Sequence, residues 1–403
     1  MLKLAFRNIF RQKARMLLTL MVIAFGVVGL ILSGGFVEDI FVQLREATIH
    51  SRLGHIQVYS KGYYEYGRRD PYEYMIAEPK EVVEQLGEWP EVEEILQRLN
   101  FFGLLNNGKT DIPIMGEGVQ PDKEARLGSY FFIAEGRALT AEDEYGVLLG
   151  EGVAASLQVG PGDYVNLLLS TKQGSLNSLE LEVVGTFRTF SKEYDDRAIR
   201  LPLERAKELT DTEQVHALVL LLASNTATDR LADYLDQVLG PLGYEVWTWV
   251  ELDDFYPKTV ELYKGQFGFL QGIILLIVLL SVLSSVSMTM NERVGEFGTL
   301  RAIGLRSSQL FRQALLENVI LGAGGGALGV ILGIALALII SEIGIPMPPP
   351  PNSNTPYTAY IRIVPDILVT AFIVGFAATF FSALLAARRP VKTPIVDALR
   401  QNI

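Results

Sequence analysis

Four stretches of the chain are continuous apolar runs long enough to cross a bilayer, which takes roughly 20 residues per helix. They occupy residues 16–36, 267–288, 319–340 and 367–387, and none carries a charged side chain in its interior. Lys3, Arg7, Arg11, Lys13 and Arg15 precede the first run, as in a secretory signal. Its apolar core is longer than the roughly 7–15 residues of a signal h-region and lacks a convincing small-x-small site, so it reads as a retained anchor. Beyond it the pattern changes. Residues 38–50 keep helical spacing through Ile40, Phe41, Leu44 and Ala47, and predict a stalk prolonging the membrane helix. Alternation then predicts strands over 55–60, 95–105, 111–119, 164–169, 181–187, 215–222 and 245–249, with helices at 81–86, 152–157, 203–209 and 226–238. A last helix starts at Asp253 or Asp254, tolerates Pro257 in its first turn, and runs into the second span with Gly265 as its weak point. The fold class is an α-helical membrane domain of four transmembrane helices, with a mixed α/β extracytoplasmic domain inserted between the first and second.

Composition agrees with a chain of two characters. Of 403 residues 49% are hydrophobic and mean hydropathy is +0.26, yet 20% are charged, too many for burial in lipid throughout. Residues 37–266 hold 40 Asp+Glu and 21 Lys+Arg, a net of −19; with a chain total of −11, the rest sums to +8. Basic residues concentrate on the cytoplasmic side of membrane proteins. This places 1–15, the loop 289–318 and the tail 388–403 in the cytoplasm. The insert 37–266 and the short Pro-rich loop 341–366 lie outside, and the spans fall at the four runs above.

Candidate chemistry is sparse. Cysteine is absent, which removes disulfides and thiolate sites. His50, His55 and His216 lack ligand-like spacing. The acidic clusters 142–144 and 195–196 read as a solvated face, so no catalytic, cofactor or metal site is assigned. Residues 103–110, GLLNNGKT, match the P-loop pattern G-x4-G-K-[ST]. That chemistry needs the loop to open a helix whose N–H groups converge on phosphate. Here 111–116 alternate and contain Pro113 and Gly116, and Asn107-Gly108 between apolar runs predicts a hairpin with a type I′ turn. Tyr63, Tyr64 and Tyr66, with Tyr72 and Tyr74, form an aromatic run suited to a lipid headgroup or acyl chain, or to packing against the stalk. Gly325, Gly329 and Gly333 share one face of the third span and predict close approach of another helix. Glu292, Arg293, Glu296 and Arg301 follow the second span and read either as a charged docking surface for a cytoplasmic partner or simply as a positive-inside loop.

The stretch 292–304, ERVGEFGTLRAIG, resembles the loop of the FtsX/MacB/LolC–LolE permeases, the type VII ABC transporter family. Glu317 ahead of a glycine-rich third span, the tail ending Pro394-Ile-Val-Asp-Ala-Leu-Arg400 and the basic amphipathic start at 4–13 are similar to it as well. So are Val147-Leu-Leu-Gly150 and Val159-Gly-Pro-Gly-Asp163 in the insert, whereas Gly54-His-Ile-Gln-Val-Tyr59 leans toward the lipoprotein-releasing LolC/LolE branch. The segment 170–180 is short where LolC carries a long hairpin that docks the lipoprotein carrier. The resemblance implies ATPase coupling through Glu292, Arg293, Glu296, Gly298, Arg301 and Gly304. It implies a cytoplasmic ABC ATPase dimer holding ATP and Mg, with no cofactor in this chain. It further implies a second permease chain, identical or paralogous, contact with membrane lipids, a periplasmic or outer-membrane partner, and no nucleic acid. The function expected is mechanotransmission that moves or extracts a lipoprotein or lipid-like cargo at the outer face of the bacterial inner membrane. The alternatives are MacB-like drug or peptide efflux and FtsX-like control of a cell-wall hydrolase.

Overall fold

The computed structural model describes residues 13–387, apart from 68, 69, 88, 129, 351 and 352, together with residue 394. The amphipathic start and the Ala-Leu-Arg tail lie outside the described residues. Contacts divide the chain into two compact units. One comprises the described parts of Met1–Val42, Val260–Pro346 and Thr358–Ile403; the other comprises those of Gln43–Thr259 and Met347–Tyr357.

The first unit is built on helices α1 (Lys13–Thr48), α2 (Phe255–Glu292), α3 (Val294–Ala302), α4 (Ser307–Ile343) and α5 (Pro365–Ala386). Four of these are long and apolar enough to cross a membrane. Apolar side chains point both ways. Ile23, Val27, Ile31, Val278, Val282 and Ala378 form a buried core, while Phe25, Phe269 and Ile277 on the outer surface are more than half exposed. A water-facing helix keeps a polar face; these helices have none over their central turns, as lipid requires. Helix α1 continues through the expected stalk positions and ends in a π-helical turn, Ile49–Leu53, stopped by Gly54 at φ +64°. The carboxylate of Asp253 accepts the N–H groups of Phe255 and Tyr256 at 3.2 Å, which starts α2 where the sequence places it. Gly265 lies within α2 without breaking it.

The segment 289–318 is not a loop. Helix α2 runs to Glu292, α3 fills 294–302 and α4 begins at Ser307. Its one sharp reversal is at Gly304, whose φ of +108° is open to glycine and strained for other residues. Asp39 on α1 is buried. It accepts Arg362 Nε and the Tyr360 N–H, both at 2.9 Å, and so satisfies an acid near the end of an apolar helix.

The second unit is one ten-stranded mixed sheet with helices against it. Its strands are β1 (Ile56–Ser60), β2 (Val92–Asn106), β3 (Asp111–Val119), β4 (Phe132–Gly136) and β5 (Gly146–Gly150), then β6 (Tyr164–Ser170), β7 (Leu176–Arg188), β8 (Ala198–Pro202), β9 (Ala217–Leu222) and β10 (Tyr244–Thr248). The order is β10-β1-β9-β2-β3-β8-β5-β7-β4, with β6 beside β2 and β7. The pairs β3–β8 and β5–β7 are parallel, the others antiparallel. Strand β2 is long enough to serve two neighbourhoods. Its first half pairs with β9, and its second half with β3 and β6. Phe101, Leu99, Leu167, Val183 and Leu218 fill the core, each full burial contributing roughly 1.5–3 kcal/mol. Strands β4, β5 and β8 escape the alternation rule. β5 is buried at every position and β8 at nearly every one, while β4 is largely exposed, so none alternates apolar with polar.

Residues 103–110 do form a hairpin, with Asn106 opposite Asp111. Its turn differs from the type I′ expectation. Gly108 has φ +84°, but Asn107 does not enter the left-handed region. Instead the Asn107 side chain accepts the N–H groups of Lys109 and Thr110, at 2.9 and 2.8 Å, which closes a four-residue loop. Strand β3 follows instead of a helix, and the N–H groups of Gly108, Lys109 and Thr110 are spent on the side chains of Asn106 and Asn107.

Candidate functional site

The charged segment after the second span splits into inward and outward parts. Arg293 precedes α3 and pairs with Glu317 of α4, a residue 4% exposed, and with Glu296 at 3.2 Å. Its guanidinium also lies over the Phe297 ring, 5.2 Å from the centroid. Removing one member of a buried pair costs roughly 3–5 kcal/mol, so Arg293 serves to hold α3 against α4. Val294, Phe297 and Gly298 are buried beneath it. Glu292 and Gly304 are exposed, Glu296 has 40% of its side chain exposed, and Arg301 is half-buried. Sequence reasoning missed Ile303, which stands 75% exposed at the end of α3. Its signal was an isoleucine beside a chain-reversing glycine.

The three glycines of α4 lie against α1. A Cβ at Gly325 would meet Ile23 Cβ at 2.9 Å, at Gly329 it would meet Val27 Cβ at 2.7 Å and Ala24 Cα at 3.0 Å, and at Gly333 it would meet Ile31 Cδ1 at 2.8 Å. Each distance is well inside the 3.5–4.0 Å optimum for carbon contacts.

The tyrosines of the run pack on different neighbours. Tyr63–Tyr66 is one short helix. Tyr63 stacks on Tyr59 at 4.8 Å and accepts Asn100 Nδ2 at 3.2 Å, Tyr64 stacks on Trp247 at 4.2 Å, and Tyr66 stacks on Tyr74 at 6.2 Å. Tyr63 and Tyr64 line a cavity of about 220 Å³ that Tyr66 does not reach. Arg98 and Glu117 stand at its inner wall within a buried network. Arg98 pairs with Glu124 at 2.8 Å, and Arg200 with Glu117 at 3.0 Å and Glu124 at 3.3 Å. Burial alone would raise the Glu117 pKa, but Arg200 and Arg98 hold it below the usual carboxylate range. Nothing in the sequence paired Arg98 with Arg200, which lie on strands brought together only by the sheet.

Two of the histidines also meet. The His50 and His55 rings sit edge to face at 5.7 Å, with His50 Nε2 3.3 Å from Glu46 and His55 Nε2 2.6 Å from Asn225 Oδ1. His216 is buried elsewhere, accepts the Asn100 N–H at Nδ1 and has its pKa lowered by burial to about 4. Among the described residues no group of acids and histidines has the arrangement of a metal site.

The architecture defines an integral membrane protein with four spans and an inserted α/β domain. Residues 16–238 match the MacB-like periplasmic core domain, and residues 268–395 match the FtsX-like permease C-terminal domain. The chain is similar to an uncharacterized ABC transporter permease of Methanocaldococcus jannaschii, at 24% identity over 67% of this chain and 67% of that protein. It is similar to the lipoprotein-releasing system transmembrane protein LolE of Haemophilus influenzae, at 23% identity over 62% of this chain and 61% of that protein. LolC of Xylella fastidiosa aligns at 24% identity over 73% of this chain and 75% of its own length. This chain belongs to the FtsX/MacB/LolC–LolE permeases, the type VII ABC transporter family.

Proposed function

We propose that this chain is the permease of a mechanotransmitting ABC transporter of the bacterial inner membrane. Both termini and α3 lie in the cytoplasm and the acidic domain outside, a topology supported by the charge asymmetry of the sequence. A cytoplasmic ATPase dimer holds ATP and Mg, and a second permease chain, identical or paralogous, completes the unit. Movement of α3 passes to α2 and α4, and the outer domain extracts or moves a lipoprotein or lipid-like cargo, with a periplasmic or outer-membrane partner receiving it.

The observation that carries this reading is the clamp at Arg293. A nine-residue helix sits between two membrane-length helices and is locked to one of them by a buried ion pair. Force on its exposed side is therefore delivered to the span rather than lost in a flexible loop. Helices α1 and α2, of 36 and 38 residues, exceed the roughly 20 that cross a bilayer and continue as helix beyond it. The LolE and LolC relatives support a lipid-like cargo. MacB-like efflux keeps a place as the second reading, because β6 and β7 are joined by the short turn 171–175 rather than a long hairpin.

Glu296→Lys should preserve the fold and weaken ATPase association or uncouple hydrolysis from transport, whereas Arg293→Ala should also lower stability. The measurements are copurification from native membranes, ATP turnover, and mass spectrometry of bound lipids and proteins. If ATPase association, turnover and transport are unchanged in Glu296→Lys, the coupling assignment fails.

A further inference from the structure

Among the described residues, the network at the cavity beside the tyrosine helix holds three guanidiniums, of Arg52, Arg98 and Arg200, and two carboxylates, of Glu117 and Glu124. Glu124 is held by Arg98 at 2.8 and 3.0 Å and by Arg200 at 3.3 Å, and Glu117 is held by Arg200 at 3.0 Å. Both carboxylates are thus engaged by the two deeper arginines. Arg52 is the third guanidinium of the group and lines the cavity; it makes no ion-pair contact with a carboxylate among the described residues, although its charge adds to the field that keeps Glu117 ionised. It lies over the Tyr194 ring, 5.1 Å from the centroid, a contact that places the charge without neutralising it. Partial removal from water strengthens the pull of such a charge on an incoming anion.

The lining is mixed: Leu53, Met115, Phe102 and the rings of Tyr63 and Tyr64 supply its apolar part, and Gln57 and Asn100 add polar groups beside Arg98 and Glu117. Phe102 is 56% and Tyr64 40% exposed, so both present apolar surface that a ligand in the cavity would cover. The volume of about 220 Å³ is below the roughly 300–1,000 Å³ of drug-sized pockets. It admits a charged group and a few carbons, while a longer tail would leave past Phe102.

We propose that this cavity binds the anionic end of an amphiphile, a phosphate or carboxylate, with Arg52 taking the charge and Phe102, Tyr63 and Tyr64 the first apolar segment. The proposal rests on the lipid-like cargo reading for what delivers the ligand, but the binding itself belongs to this chain alone.

The test uses the full chain, purified without its ATPase, titrated calorimetrically with hexyl phosphate, hexanol and inorganic phosphate. Hexyl phosphate should bind at least tenfold more tightly than either of the others. Arg52→Gln should weaken it at least tenfold, Arg52→Lys should retain most of the affinity, and Arg126→Gln on the surface should change nothing. Phe102→Ala should weaken hexyl phosphate while leaving inorganic phosphate unaffected, which decides the matter if Arg52→Gln fails to fold. Equal binding of inorganic phosphate would assign the cavity to a free anion and overturn the amphiphile; equal binding of hexanol, or indifference to both Arg52→Gln and Phe102→Ala, would overturn the site. A loss of coupling in Glu296→Lys would leave these affinities untouched, so the two readings fail separately.

Discussion

Replacing Gly329 by leucine tests the helix packing most directly. A Cβ there would stand 2.7 Å from Val27 Cβ and 3.0 Å from Ala24 Cα. The first is the branch point of a stiff side chain and the second is backbone, so neither can swing aside. Restoring ordinary contact at about 3.5–4.0 Å requires α1 and α4 to separate by about 1 Å for alanine alone, and leucine adds three more carbons. Overpacking costs typically about 1–3 kcal/mol. Gly329→Ala should therefore shift the folding equilibrium by roughly one decade per 1.4 kcal/mol, and Gly329→Leu by more. The control is Ala327→Leu. At about 100° per residue it points roughly 160° from Gly329, and Ala327 is exposed. Both variants would be heated in the same detergent, and the surviving monodisperse fraction measured by size exclusion. Native mass spectrometry would then report the oligomer. Since the glycine face meets α1 of the same chain, the loss should appear first as chain unfolding and only then as failed assembly. Equal survival of Gly329→Leu and Ala327→Leu would refute the packing argument.

Lys109→Ala should leave the ATPase activity of the assembled transporter unchanged, because the P-loop-like sequence closes a hairpin; a large loss with the fold intact would sink that reading. The inserted domain should show two opposed pH dependences. Burial raises the Asp195 carboxyl to about 6, so the folded state binds the extra proton and stability falls as pH rises from about 4 to 6. Burial lowers His216 to about 4, so the unfolded state binds the extra proton and stability rises between about 4 and 6.5. Asp195→Asn should leave the His216 trend alone, giving thermal midpoints that climb with pH across this window; a flat profile in that variant would contradict it.

The membrane spans, the inserted domain and the family are legible in the amino-acid order alone. Lipid demands unbroken apolar runs, and charge asymmetry is written in composition rather than geometry, so both can be read without knowing what touches what. Strands with one solvated face, such as β6, were legible for the same local reason. β5 and β8 were not, because a strand buried on both faces does not alternate. Turn chemistry was half legible: Asn107-Gly108 marked a hairpin, but the loop length depended on where Asn106 met Asp111. The glycine face was visible from its four-residue spacing, while its neighbour was not; only packing chose α1. Arg293 and Glu317 were both noticed, 24 positions apart, yet their pairing required α4 to fold back beside α3. The cavity was the least visible feature. Arg98, Glu117 and Arg200 converge through a sheet whose neighbours are far apart in sequence, and among the described residues Arg52 is left without an ion pair only because the other two arginines engage both glutamates.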